Sequence, residues 1–353
     1  MADRKALKEG FTTGTCAAAA ARAAVLLLDG KASPAEVEIG LPGGERARIG
    51  IEFARKGAGF AEAGVRKYAG DDPDVTNGAV VVARAAWAEG ADVCFAAGEG
   101  VGTVTLPGLQ VPPGEPAINP TPRKMIRDAV RSVTDRGVLV TLSIPGGREL
   151  AEKTFNRRLG IEGGLSILGT SGKVRPFSCP ALKASLQCLL DVADASGVAD
   201  PVLVPGRIGE RAARRHFRTG RGQVIEVSNE WGFMLDLASR KRFKAMLLLG
   251  HPGKMAKLAM GQWDTHSARS RSAVSFVGAL AEAHGTPRRK WNTVDAVFSA
   301  LAPPGREELG NSLAALIAEK AGEKTGGNIA IAAVLVDMEG GWIGSKGDLT
   351  PWK

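Results

Sequence analysis

The sequence predicts an α/β protein of two domains, and three observations support this fold class. The chain has 353 residues, which is more than one hydrophobic core usually serves. As far as residue 180, short strand signals and glycine-rich turns follow each other irregularly, which is typical of an α+β domain. Beyond a helix at 181–196, strands and helices alternate, which predicts parallel strands with right-handed crossovers. We expect an N-terminal α+β domain (1–180), a connecting helix (181–197) and a C-terminal Rossmann-like three-layer domain with a parallel sheet (198–353).

Apolar runs bounded by turn residues define the expected elements of each domain. In the first domain, strands are expected at 37–41, 47–53, 91–96 and 138–144, and helices at 16–28, 78–89 and 122–132. In the second domain, strands are expected at 201–204, 223–227, 245–249 and 330–337. The first three of these are each followed by a short loop and a helix, and a charged helix at 306–321 precedes the fourth. Ligands of such a sheet lie at the carboxyl ends of its strands.

The composition indicates an anionic partner. The net charge is +9 and the pI is near 9.5, and the basic residues form several clusters rather than one tail. Only 5% of the residues are aromatic, so a platform for stacking unpaired bases is not expected. No apolar run reaches transmembrane length without a charge. We therefore expect a soluble protein that binds neither nucleic acid nor membrane, and the sequence leaves self-association open.

The cysteines indicate the compartment. Cys16, Cys94, Cys179 and Cys188 are widely spaced and form no CxxC pair. This pattern is typical of a reduced, cytoplasmic protein and gives no metal signature. We therefore expect no metal site made by the protein itself.

The string GEGVG contains Gly98, Glu99, Gly100 and Gly102 and follows an expected strand. Its glycine pattern matches a loop for a nucleotide or for S-adenosylmethionine, a mechanism that requires a helix to follow. Residues 103–108 have the pattern of a strand and a turn instead. A structural turn therefore explains the match about equally well.

The string GDDPDVTNG packs Asp71, Asp72 and Asp74 into one turn. Clustered carboxylates repel each other unless a cation or several hydrogen-bond donors satisfy them. The candidate cations are a metal ion, a sulfonium, or an arginine from elsewhere in the chain. The alternative is capping of a helix that begins near Gly78, which explains one aspartate more easily than three.

Two further strings present groups that suit a carboxylate. GFTTGTC places Thr12 and Thr13 at the start of a helix, where their hydroxyls serve either as an anion seat or as simple caps. TFNRRLGIEGGLSILGTSG carries Arg157 and Arg158, which suit bidentate carboxylate binding, and it ends in the glycine-rich loop GTSG.

The string GHPGK lies between an expected strand and a helix, with Lys254 on the first helical turn. It does not match a nucleotide P-loop, because Met255 stands where a hydroxyl would hold magnesium. An anion or cofactor loop and a tight structural connection both remain open, and we favour the former. The nearby string WDTHS places His266 between two hydroxyl residues. A lone histidine is more often structural, but His251 and His266 are expected near the same sheet edge.

The order of these strings resembles the cobalt-precorrin-5B (C-1)-methyltransferase family, CbiD, over roughly residues 8–270. The strings that carry the resemblance are GFTTGTCAAAA, AGDDPDVTNGA, GEGVGTVT, GEPAINPTPR, KTFNRRLGIEGGLSILGTSG, PGRIGE, SNEWGF, GHPGKMAKLAMG and THS. The resemblance implies transfer of a methyl group from S-adenosylmethionine to C-1 of a ring-contracted cobalt macrocycle, giving cobalt-precorrin-6A in anaerobic cobalamin biosynthesis. The carboxylate arms of this anionic cobalt-corrinoid substrate account for a basic enzyme.

The resemblance also guides the expected roles of the site residues. We expect His251 and His266 as catalytic residues that orient the ring or accept a proton. The expected cofactor-binding residues are Asp72, Asp74, Gly98, Glu99, Gly100, Gly102, Gly169 and Thr170. The expected substrate-binding residues are Thr12, Thr13, Arg157, Arg158, Asn229, Lys254 and Thr265. The cobalt belongs to the substrate.

The chain departs from the family's pattern in two places. Residues 268–274 read ARSRSAV where an acidic ADxRxE-like stretch is expected, and the GTSG loop has Ser171 and Lys173 in place of a threonine and an apolar residue. The alternative function is a basic enzyme or binding module for another anionic ligand, either a phosphorylated metabolite or nucleic acid. Its nucleic-acid form lacks a recognisable motif.

Overall fold

The computed structural model describes residues 7–32, 34–176 and 178–353. The chain divides into two compact units, with the boundary between Cys179 and Pro180. Both units mix helices with sheets, and both contain parallel strand pairs. The observed fold is therefore mixed α/β.

The first unit is rich in short strands. Its elements are β1 (Gly10–Phe11), α1 (Thr13–Leu28), β2 (Glu36–Gly40), β3 (Arg46–Gly50), β4 (Phe53–Gly57), β5 (Phe60–Arg66), β6 (Val80–Trp87), β7 (Val93–Ala97), β8 (Gly100–Val101), β9 (Thr103–Val104), α2 (Pro120–Arg131), β10 (Val138–Ser143), α3 (Gly147–Ala151), β11 (Ile161–Glu162), β12 (Gly164–Leu165) and β13 (Lys173–Val174).

A five-stranded sheet and helix α1 form the core of the first unit. The strand order is β4-β5-β6-β10-β7, and only the β10–β7 pair is parallel among these described strands. Helix α1 packs on β5, β6 and α2, and its run of alanines from Ala17 to Ala21 is completely buried. Small side chains let the helix approach its neighbours closely on several sides. Burial also raises the pKa of the Cys16 thiol to about 12.

The predicted helix at 78–89 is wrong, because this segment is the central strand β6. Val81, Ala83 and Ala85 are buried, whereas Arg84 between them is exposed. This two-residue alternation is the period of a strand. The alanines made the segment look helical, but pairing with β5 on one side and β10 on the other decided its conformation.

The predicted strand at 47–53 is divided between two sheets. Strand β3 ends at Gly50 and pairs with β2, whereas β4 begins at Phe53 and pairs with β5. The other predicted strands of this unit and the helices at 16–28 and 122–132 are confirmed, with ends that move by one to three residues.

The second unit alternates strands and helices. Its elements are α4 (Cys179–Ala195), β14 (Val202–Val204), α5 (Arg207–His216), β15 (Val224–Glu226), α6 (Trp231–Ala238), β16 (Ala245–Gly250), α7 (Pro252–Ala259), α8 (Val274–Ala283), α9 (Val294–Ser299), α10 (Pro303–Lys324), β17 (Ala330–Val336), β18 (Trp342–Lys346) and a 3₁₀ helix (Thr350–Trp352).

The sheet of the second unit has the order β15-β14-β16-β17-β18. The first four strands are parallel, and the edge strand β18 is antiparallel to β17. Leu203, Leu247 and Leu248 are completely buried in its centre. The chain moves from β14 to β15 in one direction and from β15 to β16 in the other, so right-handed crossovers place α5 and α6 on opposite faces. All four predicted strands of this sheet are confirmed.

The charged helix α10 is longer than predicted and has one buried side. Leu309, Leu313 and Ile317 on one side are completely buried, and the helix contacts β17 and β18. Over the described ranges, no helix is both long enough and apolar enough to cross a membrane.

Candidate functional site

Short strand pairs connect the glycine-rich strings of the first unit to each other. Strand β8 of the GEGVG loop pairs in parallel with β12, and β9 pairs antiparallel with β11. Ile118 of the GEPAINP string forms a bridge with Ile167. The strings that the sequence singled out separately therefore form one cluster of interlocking loops.

The glycines of this cluster are required by close contacts between backbones. Gly100 has a φ of 70°, and a Cβ atom added to it would lie 2.0 Å from the carbonyl oxygen of Ile144. A Cβ on Gly164 would lie 2.2 Å from the backbone of Gly100. The next helix after GEGVG begins only at Pro120, so the loop does not have the strand-to-helix geometry of a nucleotide loop. Packing therefore accounts for these glycines without a ligand.

The other predicted cofactor residues of these loops differ in exposure. Glu99 is exposed, and its backbone carbonyl accepts a hydrogen bond from the N–H of Ile144 at 2.8 Å. A Cβ on Gly102 would lie 2.4 Å from Ile161 Cγ2, and one on Gly98 would lie 2.2 Å from Ser143 Oγ. Of these residues, Glu99 is the one that presents a side chain to solvent.

The two predicted substrate threonines are buried at the start of α1. Thr12 Oγ1 accepts a hydrogen bond from the N–H of Thr15 at 3.2 Å, which caps the helix. Thr13 Oγ1 donates to the carbonyl of Leu168 at 3.2 Å and accepts from its N–H at 3.0 Å. Gly169 packs against Thr12, with a Cβ position 2.3 Å from Thr12 Oγ1. The alternative of capping, which the sequence left open, therefore accounts for the Thr12 hydroxyl, whereas the Thr13 hydroxyl anchors the loop at Leu168.

Thr170 borders a cavity of this unit with a volume of about 710 Å³. Arg22, Arg46 and Lys124 also line it. Arg46 pairs with a glutamate at 2.6 Å and Lys124 with an aspartate at 2.7 Å, so much of the positive charge at this cavity is neutralised.

Hydrogen bonds from within the protein satisfy the carboxylates of Asp71 and Asp74 in the acidic loop. Asp74 accepts hydrogen bonds from Thr76 N (2.7 Å) and Thr76 Oγ1 (2.6 Å) and pairs with Lys67 Nζ (2.7 Å). Burial alone would raise the pKa of Asp74, but the hydrogen bonds from Lys67 and Thr76 outweigh it and hold the pKa below its ordinary value. Asp71 accepts from the N–H of Lys8 at 2.7 Å. The cation at Asp74 is therefore a lysine, which is not among the three cations expected from the sequence.

Arg157 and Arg158 lie in the turn after α3. Arg157 is exposed, and Arg158 lies over the ring of Phe155, 5.7 Å from its centroid. Asn156, which directly precedes them, is buried and donates to the carbonyl of Gly164 at 3.3 Å. This asparagine fixes the turn, so that the two arginines are carried by a well-anchored loop.

In the second unit, the predicted residues lie at the carboxyl edge of the parallel sheet. Asn229 follows β15, and its Oδ1 accepts a hydrogen bond from Thr265 Oγ1 at 3.1 Å. Its backbone carbonyl also accepts from the N–H of Thr265 at 3.1 Å. The structure therefore brings together two predicted substrate-binding residues that lie far apart in sequence. Ser228 beside them has a φ of 55°, an uncommon conformation for a residue other than glycine.

His251 caps helix α7. Its Nδ1 accepts a hydrogen bond from the N–H of Gly253 at 3.1 Å. The proton of the neutral ring must therefore lie on Nε2, which is 3.4 Å from Oδ1 of Asp295. His251 is thus oriented as a hydrogen-bond donor toward a carboxylate.

His266 has the same tautomer in an exposed loop. Its Nδ1 accepts from the N–H of Ala268 at 3.2 Å, which leaves the proton on Nε2. The N–H of His266 is held by Asp264 at 2.9 Å. In the geometry described, neither histidine offers an unprotonated nitrogen to a substrate.

Lys254 is half-buried on the first turn of α7, and its ammonium group makes no hydrogen bond or ion pair with any described residue. Burial lowers the pKa of Lys254; the charge of Glu226 acts in the opposite direction, and that of Lys257 acts with burial. A half-buried ammonium group at a sheet edge can bind an anion.

Sequence reasoning missed a buried charged group behind this edge. Glu230 is buried, and its carboxylate lies 3.4 Å from Lys183 Nζ and 3.5 Å from Arg269. Lys257 is also buried, and its Nζ donates to the Thr265 carbonyl at 3.0 Å. No local pattern marks Glu230, because its partners Lys183 and Arg269 lie far from it in the sequence. Within the described ranges, no group of three or more His, Cys, Asp or Glu residues could hold a metal ion.

Comparison with known proteins identifies relatives over the whole chain. The sequence profile of CbiD matches residues 1–176, and that of the CbiD C-terminal domain matches residues 264–347. The cobalt-precorrin-5B C(1)-methyltransferase of Syntrophotalea carbinolica is 52% identical over 348 residues, which cover 98% of this chain and 99% of that protein. The protein of the same name from Methanocaldococcus jannaschii is 41% identical and covers 97% of each chain. A crystal structure of the cobalamin biosynthesis protein cbiD from Archaeoglobus fulgidus is 30% identical over 74% of this chain and 83% of that one, with a TM-score of 0.40.

Polar loops at the carboxyl edge of a parallel sheet are the arrangement of an α/β protein that binds a small molecule. The profile matches and the full-length identity then give the particular family: this chain belongs to the CbiD family, as the order of its glycine-rich strings indicates.

Proposed function

We propose that this protein transfers a methyl group from S-adenosylmethionine to C-1 of cobalt-precorrin-5B in cobalamin biosynthesis. The observation that carries the proposal is 52% identity over 98% of the chain to a protein named for this reaction. The aligned residues cover both units of the chain, so the similarity is not confined to one of them. A cytoplasmic location is part of the proposal and agrees with cysteines that form no CxxC pair.

The reaction is a displacement at a methyl carbon. A bond forms between C-1 and the methyl carbon while the S–CH₃ bond breaks, and its electron pair remains on sulfur to give S-adenosylhomocysteine. The positive charge passes to the macrocycle, which loses a proton to solvent. Positioning of the two reactants can contribute on the order of 7–11 kcal/mol to such a step. A strong general base is not required, because the electron-rich macrocycle supplies the nucleophile.

The two histidines suit orientation better than proton removal. Both present Nε2–H, because Nδ1 of each accepts a backbone hydrogen bond. We propose that His266, whose Nε2 is at an exposed loop, donates a hydrogen bond to the substrate. We propose that His251 keeps the start of α7 in place through Gly253 and Asp295.

The anionic arms of the macrocycle need cationic groups that are not already neutralised. Lys254 is half-buried without a hydrogen-bonding partner among the described residues, and Arg157 is exposed on an anchored loop. We propose that Lys254 binds a carboxylate arm, and that Arg157, with Arg158 next to it, is the corresponding candidate in the first unit. Asn229 and Thr265 support the loop near Lys254, because they bond to each other.

The second unit fits a donor that contains a nucleoside. Four parallel strands with crossovers on both faces are the architecture on which Rossmann-like domains bind nucleosides, and we propose that this unit is such a domain. The glycine turn after β14 leaves open space beside the carboxylate of Glu226.

The proposal is tested by incubating the purified chain with cobalt-precorrin-5B and S-adenosylmethionine that carries a ¹³C-methyl group. We expect the corrinoid to gain one labelled methyl group by mass spectrometry and ¹³C NMR to place it on C-1. A reaction without enzyme is the control. Label at another carbon, or no transfer with an authentic substrate, would contradict the proposed function.

A further inference from the structure

We propose that the turn after β14 and the end of β15 bind the nucleoside half of the methyl donor, with Glu226 accepting the ribose hydroxyls beside Gly206. This inference rests on the proposed function. It differs from the expectation from sequence, which placed the cofactor on loops of the first unit.

The strand order places these residues at a topological switch point. Strand β14 lies between β15 and β16. After β14 the chain continues to β15 on one side of it. After β16, on the other side of β14, the chain continues away from β14 to β17. The loops after β14 and β16 therefore leave the sheet in opposite directions and open a crevice between them. Open parallel sheets bind their ligands in such a crevice, at the carboxyl ends of the strands.

Two glycines of the turn PGRIGE have different physical roles. Gly206 has φ 156° and ψ −162°, a conformation that is essentially restricted to glycine. A Cβ built on Gly206 would meet only one atom within 4 Å among the described residues outside its immediate neighbours, namely Glu226 Oε1 at 3.9 Å. A Cβ on Gly209 would instead lie 2.8 Å from the side chain of Val204 and 2.9 Å from the carbonyl oxygen of Leu249.

Gly206 and Gly209 correspond to the two kinds of glycine found in nucleoside-binding turns. There, one glycine allows the ligand to approach the backbone and another lets the helix pack closely on the strand. Gly206 has the open surroundings of the first kind, and Gly209 has the crowded surroundings of the second. In the first unit, by contrast, Gly98, Gly100 and Gly102 are all crowded by protein atoms.

Glu226 stands where such domains place the residue that binds ribose. It is the last residue of β15, in register with Val204 at the end of β14. It follows Gly206 by about 20 residues, the usual separation between the glycine turn and the acidic residue. A carboxylate accepts hydrogen bonds from two free ribose hydroxyls and repels a phosphate at that position, so the chemistry favours a nucleoside with an unmodified ribose.

Lys254 completes the crevice on the side of β16. Lys254 follows the end of β16 and Glu226 is the last residue of β15, so both lie at the carboxyl edge of the parallel sheet. If the nucleoside of the donor binds beside Glu226, the rest of the donor would extend toward the ammonium group of Lys254. This group lacks a hydrogen-bonding partner among the described residues. The methionine end of the donor and the arms of the macrocycle both carry carboxylates that this group can bind.

The test is isothermal titration of the full chain with S-adenosylhomocysteine and, separately, with adenosine. Glu226→Gln keeps the shape of the side chain but removes its charge, and Glu99→Gln is the matched control at the loop expected from sequence. We expect Glu226→Gln to weaken both ligands about tenfold or more, because hydrogen bonds to a charged group are lost. Glu99→Gln should bind both as the wild type does. Thermal unfolding without ligand checks that each variant is folded.

The outcomes separate this inference from the proposed function. If Glu226→Gln binds S-adenosylhomocysteine as the wild type does and Glu99→Gln does not bind it, the inference is overturned and the proposed function still stands. Loss in Glu226→Gln with retained binding in Glu99→Gln would support it. A wild-type protein that binds neither ligand, even with substrate present, would overturn the proposed function itself.

Discussion

Lys67 and Asp74 form an ion pair in which Nζ and Oδ2 are 2.7 Å apart, and the lysine side chain is only 1% exposed. This pair supplies the cation that the acidic loop requires, so neither a metal ion nor a sulfonium is needed to explain Asp74. Lys67 is the more buried of the two side chains, so removal of the Asp74 carboxylate would leave its ammonium group buried without this counter-charge.

Replacing Asp74 with Asn should destabilise the protein by about 2–4 kcal/mol at neutral pH, because Lys67 would remain buried without a counter-charge. Urea denaturation followed by circular dichroism measures this. The folded-state pKa of Asp74 lies below its unfolded value, so its contribution is present above the ordinary aspartate pKa and is lost as the pH falls through the lowered one. The difference between variant and wild type should therefore shrink in acid.

Asp71→Asn is the matched control for this prediction. Asp71 is exposed and accepts one backbone hydrogen bond, which an amide oxygen can also accept. Its effect should stay within about 0.5 kcal/mol. Equal effects of the two substitutions would show that the ion pair is not what stabilises this loop.

Gly100→Ala should be much more harmful than Gly163→Ala. Both glycines have positive φ values, 70° and 86°, but only Gly100 is crowded by the backbone of Ile144. We expect a loss of about 1 kcal/mol for Gly163→Ala and more than about 3 kcal/mol for Gly100→Ala, since steric overlap adds to backbone strain. Denaturation midpoints give the comparison. Similar midpoints would indicate that the GEGVG loop has room for a ligand rather than close packing.

Lys254→Met should stabilise the ligand-free protein while weakening the binding of the substrate. Burial lowers the pKa of Lys254 in the folded state, so the unfolded chain binds its proton more tightly and wild-type stability rises as the pH increases through the lowered pKa. The variant should lack this rise and gain about 2 °C in Tm at neutral pH. Its KM for the corrinoid should increase several-fold.

Lys346→Met on the exposed edge strand β18 is the control for Lys254, and it should change neither Tm nor KM. If Lys254→Met lowers the Tm and leaves the KM unchanged, the ammonium group has a structural role and does not bind the macrocycle.

His266→Phe and His251→Asn should affect the reaction in different ways. Loss of a donor to the substrate in His266→Phe should lower kcat/KM about tenfold without altering the shape of the pH profile, because the ring acts as a donor and not as a base. His251→Asn retains an N-cap side chain and should keep most of the activity. A change in the shape of the pH profile in either variant would point to a histidine that removes a proton.

Local sequence was sufficient for much of the fold. The alanine-rich run before Leu28 had to be a helix packed at close range, and the apolar strands ending at Val204, Glu226 and Gly250 alternate with helices, which favours parallel pairing. The glycine-rich strings were recognisable as a series, because their order along the chain resembles one family. These are properties of spacing and composition, which a single segment carries by itself.

Contacts in the tertiary structure decided the conformation and the surroundings of several segments. The segment from Val80 to Trp87 is a strand because β5 and β10 pair with it on both sides, although its alanines favour a helix. Gly100 is required because Ile144, far away in sequence, passes against it, and Glu226 is placed beside Gly206 by the register of two strands. Contacts between residues distant in sequence depend on the whole packed structure, and no local pattern of side chains records them.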